Sequence, residues 1–287
     1  MSLLGPRSVG LALGGGSVRG FAHIGVLRVL EREGIRPVAI AGTSMGAIVG
    51  AMYAAGMTPD AIEEAALGLD VRNLLSLADW TVRSGALVSG DKVEAALASY
   101  LPATFEELRV PFACTSTDLA AGVAVQHTSG HLVRAVRASM SVPMAFLPIR
   151  DGERMLVDGF LTDPVPVKLV RSLGARIVVA VEVTGSGRIG GGNGEDGDGH
   201  PFADLRASIR GERARHRGTS SMDIAAATVE MLERTLTAYA VKDADVVLSP
   251  EVHSYAGHEF AFTERIIAEG ERAAERALPR IRHEARL

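Results

Sequence analysis

Val38-Ala-Ile-Ala-Gly-Thr-Ser-Met-Gly-Ala-Ile-Val-Gly50 is the stretch that decides the fold. Val38–Ala41 is an uninterrupted apolar run of the kind that forms a buried strand. Gly42 to Gly46 reads as a tight turn, and Ala47 to Ala55 as a small-residue helix able to lie close on a sheet. The apolar stretch continues to Met57, just long enough for a membrane span. Gly42, Thr43, Ser44, Gly46, Gly50 and Gly56 interrupt it, however, so strand, turn and helix is the better reading.

The same unit stands directly upstream. Val9-Gly-Leu-Ala-Leu13 stops at Gly14-Gly15-Gly16, as a buried strand does at a glycine turn. Ala22, Ile24, Val26, Leu27 and Leu30 then mark a helix from Arg19 to Glu33, and Gly34 follows where a C-terminal cap belongs. Thr58-Pro59-Asp60 opens a further helix, with Thr58 as cap and Pro59 at its first position. Strand-like runs recur at Pro111–Thr117, Met155–Val157, Ile177–Val183 and Val246–Leu248. Helical stretches lie at Asp91–Tyr100, His131–Ala138, Val165–Leu173, Met222–Val241 and Thr263–Ile281. Strands alternating with helices predict an α/β fold of three layers around a mainly parallel central sheet.

Composition sets the limits. The chain has 287 residues, 47% hydrophobic and 22% charged, which fits a globular protein and excludes a disordered one. One domain over 1–287 is expected, interrupted by a flexible loop or arm at 185–221. A single cysteine, Cys114, leaves no internal disulfide to form. The net charge of −4 argues against a nucleic-acid partner that needs a basic surface. The apolar N-terminus contains Arg7 and shows no clear cleavage site, so a soluble, cytoplasmic chain is expected. Within the arm, Arg206, Arg210, Arg213, Arg215 and Arg217 face only Glu212 in sequence. That is either a solvated arm or a peripheral contact with anionic lipid head groups.

Two glycine motifs could carry chemistry. Gly42-Thr43-Ser44-Met45-Gly46 matches G-x-S-x-G, which places a serine on a strained strand-to-helix turn. The helix starting just after Ser44 favours negative charge near its oxygen. Gly14-Gly15-Gly16-Ser17-Val18-Arg19-Gly20 can turn several N–H groups toward one anion. The dinucleotide spacing fails at Arg19 and the P-loop ending is missing, so an oxyanion hole is preferred to a phosphate cradle. A base is harder to find. His253 and His258 lie late in polar sequence, but a nucleophile at residue 44 is too early for an ordinary α/β-hydrolase. His23 reads as a partly buried helix residue. His127, His131, His200, His216 and His283 read as loop or helix-surface residues without a partner. Among carboxylates Asp158 stands out, ending an apolar strand in Leu156-Val157-Asp158-Gly159, although alone it reads as a turn residue.

Together these residues resemble the patatin-like phospholipase family of serine acyl hydrolases. Gly15, Gly16 and Arg19-Gly20 match its glycine-rich oxyanion motif, Gly42 to Gly46 its G-x-S-x-G, and Asp158-Gly159 its distant aspartate motif. Arg137-Ala-Ser-Met-Ser-Val-Pro143, with Phe146 and Pro148, is similar to the stretch before that aspartate. Two departures are visible: Ser17 stands where a further glycine is common, and Phe160 where a small residue is usual. The resemblance implies a Ser44–Asp158 dyad without a catalytic histidine. It also implies an oxyanion hole at Gly15, Gly16 and Ser17, with Arg19, Gly42, Gly46 and Gly159 in support and no metal or cofactor. Arg19 either orients the glycine loop or faces a phosphate head group.

The expected substrate is a phospholipid, lysophospholipid or related carboxylic ester, cleaved through an acyl-enzyme. The rivals are an acyltransferase or thioesterase on the same dyad, and a non-catalytic lipid-binding protein with the same fold. Trp80, with Leu74, Leu75, Leu77 and Val82, reads either as a flap over an acyl pocket or as ordinary core. Gly191 to Asp196 reads as an acidic loop rather than a calcium repeat.

Overall fold

The computed structural model describes residues 5–68, 90–143, 145–185, 221–255 and 259–287. The expected arm, the Trp80 cluster and His200, His216 and His258 lie outside them. Strands β1 (Val9–Leu13), β2 (Ala39–Thr43), β3 (Phe112–Asp118), β7 (Ile177–Val181) and β8 (Val246–Leu248) form the parallel part of the sheet, in the order β3-β2-β1-β7-β8. Strands β4 (Val123–His127), β5 (Ile149–Asp151) and β6 (Arg154–Asp158) are antiparallel additions. The helices are α1 (Ala22–Arg32), α2 (Met45–Ala54), α3 (Pro59–Gly68), α4 (Asp91–Ala98), α5 (Leu132–Ser139), α6 (Val167–Ser172), α7 (Ser221–Ala240) and α8 (Thr263–Ala285). The expected mainly parallel α/β sheet is therefore the one observed.

Strand periodicity divides the core into two faces. Leu11, Leu13, Ile40, Phe112, Cys114, Val179 and Val181 point to one side and join residues of α1, α2 and α8 in the larger core. Ala12, Ala41, Ala113, Val178 and Ala180 point to the other and meet Val167, Leu169 and Val170 of α6. Alanine dominates this second face, and the helix there sits close. A Cβ at Gly10 would collide with Val170 and Ala175.

One feature of pairing determines the site. β4 occupies one edge of β3 from Cys114 to Asp118. The other edge is divided: β2 pairs with residues Phe112 to Thr115, and β6 takes over at Ser116. β2 therefore leaves the sheet at Thr43, opposite Thr115, where β6 arrives with Asp158 opposite Ser116. The residue after Thr43 is Ser44.

The turn that follows β2 is packed at backbone contact. A Cβ on Gly46 would strike the Leu13 carbonyl, and one on Gly42 the Gly46 carbonyl. Gly46→Ala is expected to cost about 1–3 kcal/mol, because backbone must move to admit the methyl group. Gly68→Ala, at the end of α3 where no described atom lies within 4 Å, should shift stability by no more than about 0.5 kcal/mol. Thermal unfolding of the two variants checks the contrast.

Candidate active site

Ser44 caps α2 with φ 56° and ψ −121°, a conformation that side-chain-bearing residues rarely adopt. Such strain persists only where the surroundings impose it. Here Ser44 N–H donates to Ser139 Oγ at 3.0 Å, and Ser139 Oγ donates to the Thr115 carbonyl at 2.7 Å. Thr43 Oγ1 donates to the Asp163 carbonyl at 2.8 Å, fixing the preceding residue. The first amides of α2 lack intrahelical acceptors, so the environment of Ser44 favours negative charge. Ser44 itself is 8% exposed.

Asp158 ends β6 and is fully buried. Its N–H donates to the Ser141 carbonyl at 2.9 Å, and its Oδ1 accepts from Phe160 N–H at 3.0 Å. Oδ2 is buried and makes no complete hydrogen bond, yet the Ser44 hydroxyl is close enough to favour the charged carboxylate. Burial wins over both donors, and with the negative charge of Glu233 it pushes the Asp158 carboxyl up to about 8. The segment between Arg137 and Pro143 ties the two candidates together. Ser139 holds Ser44, Ser141 holds Asp158, and the buried Arg137 guanidinium donates to Ser141 Oγ at 2.6 Å. Phe160, a departure from the family pattern, contributes its amide to Asp158 whatever its side chain, and its ring is buried.

The glycine turn lies against Ser44. A Cβ on Gly15 would sit 3.5 Å from Ser44 Cβ. Gly16 has φ 147°, and Ser17 adopts φ 53° despite its side chain, so the turn keeps a positive φ without a glycine there. One expected role changes. The Gly15 amide donates to the Pro164 carbonyl at 3.0 Å, so it is not a donor to an oxyanion in this arrangement. His23 is fully buried rather than partly so, and its Nε2–H donates to the Gly14 carbonyl at 2.8 Å. Desolvation lowers its pKa to about 4, so it stays neutral and serves as a brace. Arg19 Nε donates to the Gly16 carbonyl at 3.2 Å while Nη1 pairs with Glu230 at 2.8 Å. The loop-orienting alternative for Arg19 is thus the one its contacts describe. Gly159 is needed for space, since a Cβ there would strike the Thr115 carbonyl.

Three side chains have contacts that the sequence does not indicate. Ser139 lies 95 residues from the serine it holds. Glu233, on α7, places Oε1 3.1 Å from the point where a Gly15 Cβ would be. Burial raises its carboxyl to about 6 against the pull of Arg19. His127 is not a loop residue without a partner: it sits in β4, with Nε2 2.8 Å from Ser116 Oγ. No local pattern gives these contacts, because each depends on a partner on another element.

The raised pKa of Asp158 fixes the sign of a pH effect. Between about 4 and 8 the folded chain binds a proton that the unfolded chain, with an ordinary carboxyl, has released. That group therefore makes the native protein less stable as pH rises through the window. Asp158→Asn should be more stable than the native protein by a margin that widens from pH 5 to pH 8. Thermal melts of both proteins at the two pH values measure it, and an equal margin at both would contradict the burial argument.

Comparison with known proteins gives the family. The family model of patatin-like phospholipases matches residues 11–171. An uncharacterized NTE family protein of Mycobacterium tuberculosis is 38% identical over 182 residues, covering 63% of this chain and 50% of the relative. The lysophospholipase NTE1 of Pyricularia oryzae is 36% identical over 187 residues, 62% of this chain but 12% of that protein. The chain thus spans half the length, or less, of these curated relatives. Among solved structures, VipD from Legionella pneumophila superposes with a TM-score of 0.50 at 13% identity, over 96% of this chain and 67% of that one, a likeness of fold. The chain belongs to the patatin-like phospholipase family.

Proposed function

We propose that this protein is a lipid acyl hydrolase that cleaves a phospholipid, lysophospholipid or related carboxylic ester through a Ser44–Asp158 dyad. The observation that carries the reading is the meeting of a strained serine at the start of α2 with a buried carboxylate whose Oδ2 is unpartnered. Family membership and the lysophospholipase name of a relative support the substrate class.

In the first step Ser44 Oγ bonds to the ester carbonyl carbon as its proton passes to Asp158, and the carbonyl π electrons move to oxygen. Collapse of that intermediate breaks the bond to the alcohol, which leaves with the proton from Asp158. Water then gives a proton to Asp158 and attacks the acyl carbon. Ser44 Oγ departs and recovers the proton as the fatty acid forms. A carboxylate is a weak base at its ordinary pKa, and burial narrows the mismatch with a serine hydroxyl. The amides of Gly16 and Ser17 and the first amides of α2 are the donors proposed for the oxyanion. Each such donor is typically worth about 3–4 kcal/mol.

Intact-mass labelling with a fluorophosphonate tests the reading. One adduct per native chain is expected, none on Ser44→Ala, and labelling slowed by about 10³-fold or more on Asp158→Asn. Hydrolysis of a short-chain p-nitrophenyl ester should fall in the same order. An adduct that persists on Ser44→Ala would refute it.

A further inference from the structure

Helix α7 departs from the usual amphipathic rule, under which charges face solvent and apolar residues face the core. The exposed side chains described on it are Ile224, Thr228, Met231, Leu232, Thr235 and Tyr239. At 3.6 residues per turn they share one side, and none is charged. The apolar ones are 53%, 59%, 43% and 65% exposed for Ile224, Met231, Leu232 and Tyr239. Glu230 and Glu233 point the other way, into the protein. Glu230 pairs with Arg19, which in turn holds the glycine turn, and Glu233 Oε1 stands beside Gly15.

That inward carboxylate is in a costly place. Its Oε1 lies 3.1 Å, and Ser44 Cβ 3.5 Å, from the point that a Gly15 Cβ would occupy, so a carboxylate stands close to the serine that an ester has to reach. A negative group there opposes an oxyanion. The opposite side of the helix has the chemistry of a bilayer interface. Four large apolar side chains are clustered without a charge, and at their C-terminal end Lys242 Nζ lies 4.3 Å from the Tyr239 ring centroid. An exposed ammonium beside an amphipathic ring suits a layer of phosphate head groups above acyl chains.

We propose that α7 covers the candidate site, with Glu233 and the Arg19–Glu230 pair holding it shut, and that a phospholipid surface takes up its uncharged outer side and so opens the way to Ser44. The inference rests on the reading of Ser44 as the reacting group and adds the means by which substrate reaches it. The ion pair is short but partly exposed, so it is a latch that a lipid surface can outweigh. Each large apolar side chain transferred into lipid contributes favourably in proportion to its buried area.

The test is the rate of fluorophosphonate labelling with and without phosphatidylcholine vesicles containing phosphatidylglycerol, with hydrogen exchange read on the same samples. Vesicles should speed labelling of the native protein about tenfold or more, the gain expected when an open minor state becomes the major one. A Glu230→Gln, Glu233→Gln double variant should label faster than the native protein without vesicles, and Glu233→Ala should do the same if the double variant folds poorly. Met231→Glu and Leu232→Glu should keep the vesicle-free rate and lose the response. Native labelling indifferent to vesicles, or inner-side variants labelled no faster, would overturn the cover. If no variant is labelled, exchange decides: altered protection across 221–240 on vesicles upholds the cover and faults the serine, and unchanged protection overturns the cover.

Discussion

The edge of β3 is divided between two strands, and the candidate site depends on where the division falls. β2 runs parallel to β3 up to Thr115, and β6 takes the edge from Ser116 in the opposite sense. Hydrogen bonding of the ladder thus brings the end of β2 and the end of β6 to one place. Ser44 and Asp158 are the residues at those ends. Their meeting is a property of sheet register rather than of side-chain chance, and a slip of one residue would turn one of them to the wrong face. Ser139 secures the junction by bonding Ser44 N–H and the Thr115 carbonyl together.

That arrangement stores free energy at the point where chemistry is proposed. The cost lies in a carboxyl group buried with one oxygen unpartnered and in a serine held in a strained backbone conformation. Both are held by well-packed surroundings: an almost continuous apolar sheet, alanine on one face, and glycines that let Gly42, Gly46 and Leu13 meet backbone to backbone. His23 and Arg19 add polar braces to the adjoining turn. A site needing a basic carboxylate gains from the same burial that weakens the fold locally.

Much of this was legible from residues alone, for a physical reason. Strands covered on both faces are written as unbroken apolar runs, so β1, β2, β3, β7 and β8 announce themselves, and Val246–Leu248 matches to the residue. β4 and β5 do not, because they lie beyond the covered part of the sheet. Val123, which opens β4, is exposed, and Gln126 and His127 leave the strand too polar to read as a buried run. Ser44 and the glycine turns stand out because backbone geometry restricts which residues can occupy them, whereas Asp158, alone a turn residue, reads as a site residue only through the family resemblance. The contacts of Ser139 and Glu233 were not legible, since each depends on a pairing distant in sequence, nor was the His127–Ser116 contact, which depends on the unrecognised strand β4. The hydrogen bond of the Gly15 amide was illegible for the same reason: its acceptor, Pro164, is far along the chain.

In the proposed chemistry one buried carboxylate, without histidine, activates Ser44. Pre-steady-state acylation by a p-nitrophenyl ester tests it most directly, comparing the native protein with Asp158→Asn across pH 5 to 9. A burst stoichiometric with enzyme is predicted, its rate rising with pH through a single ionisation near the value of about 8 that burial gives Asp158. In Asp158→Asn the burst should vanish. A burst of native rate in that variant would contradict the account.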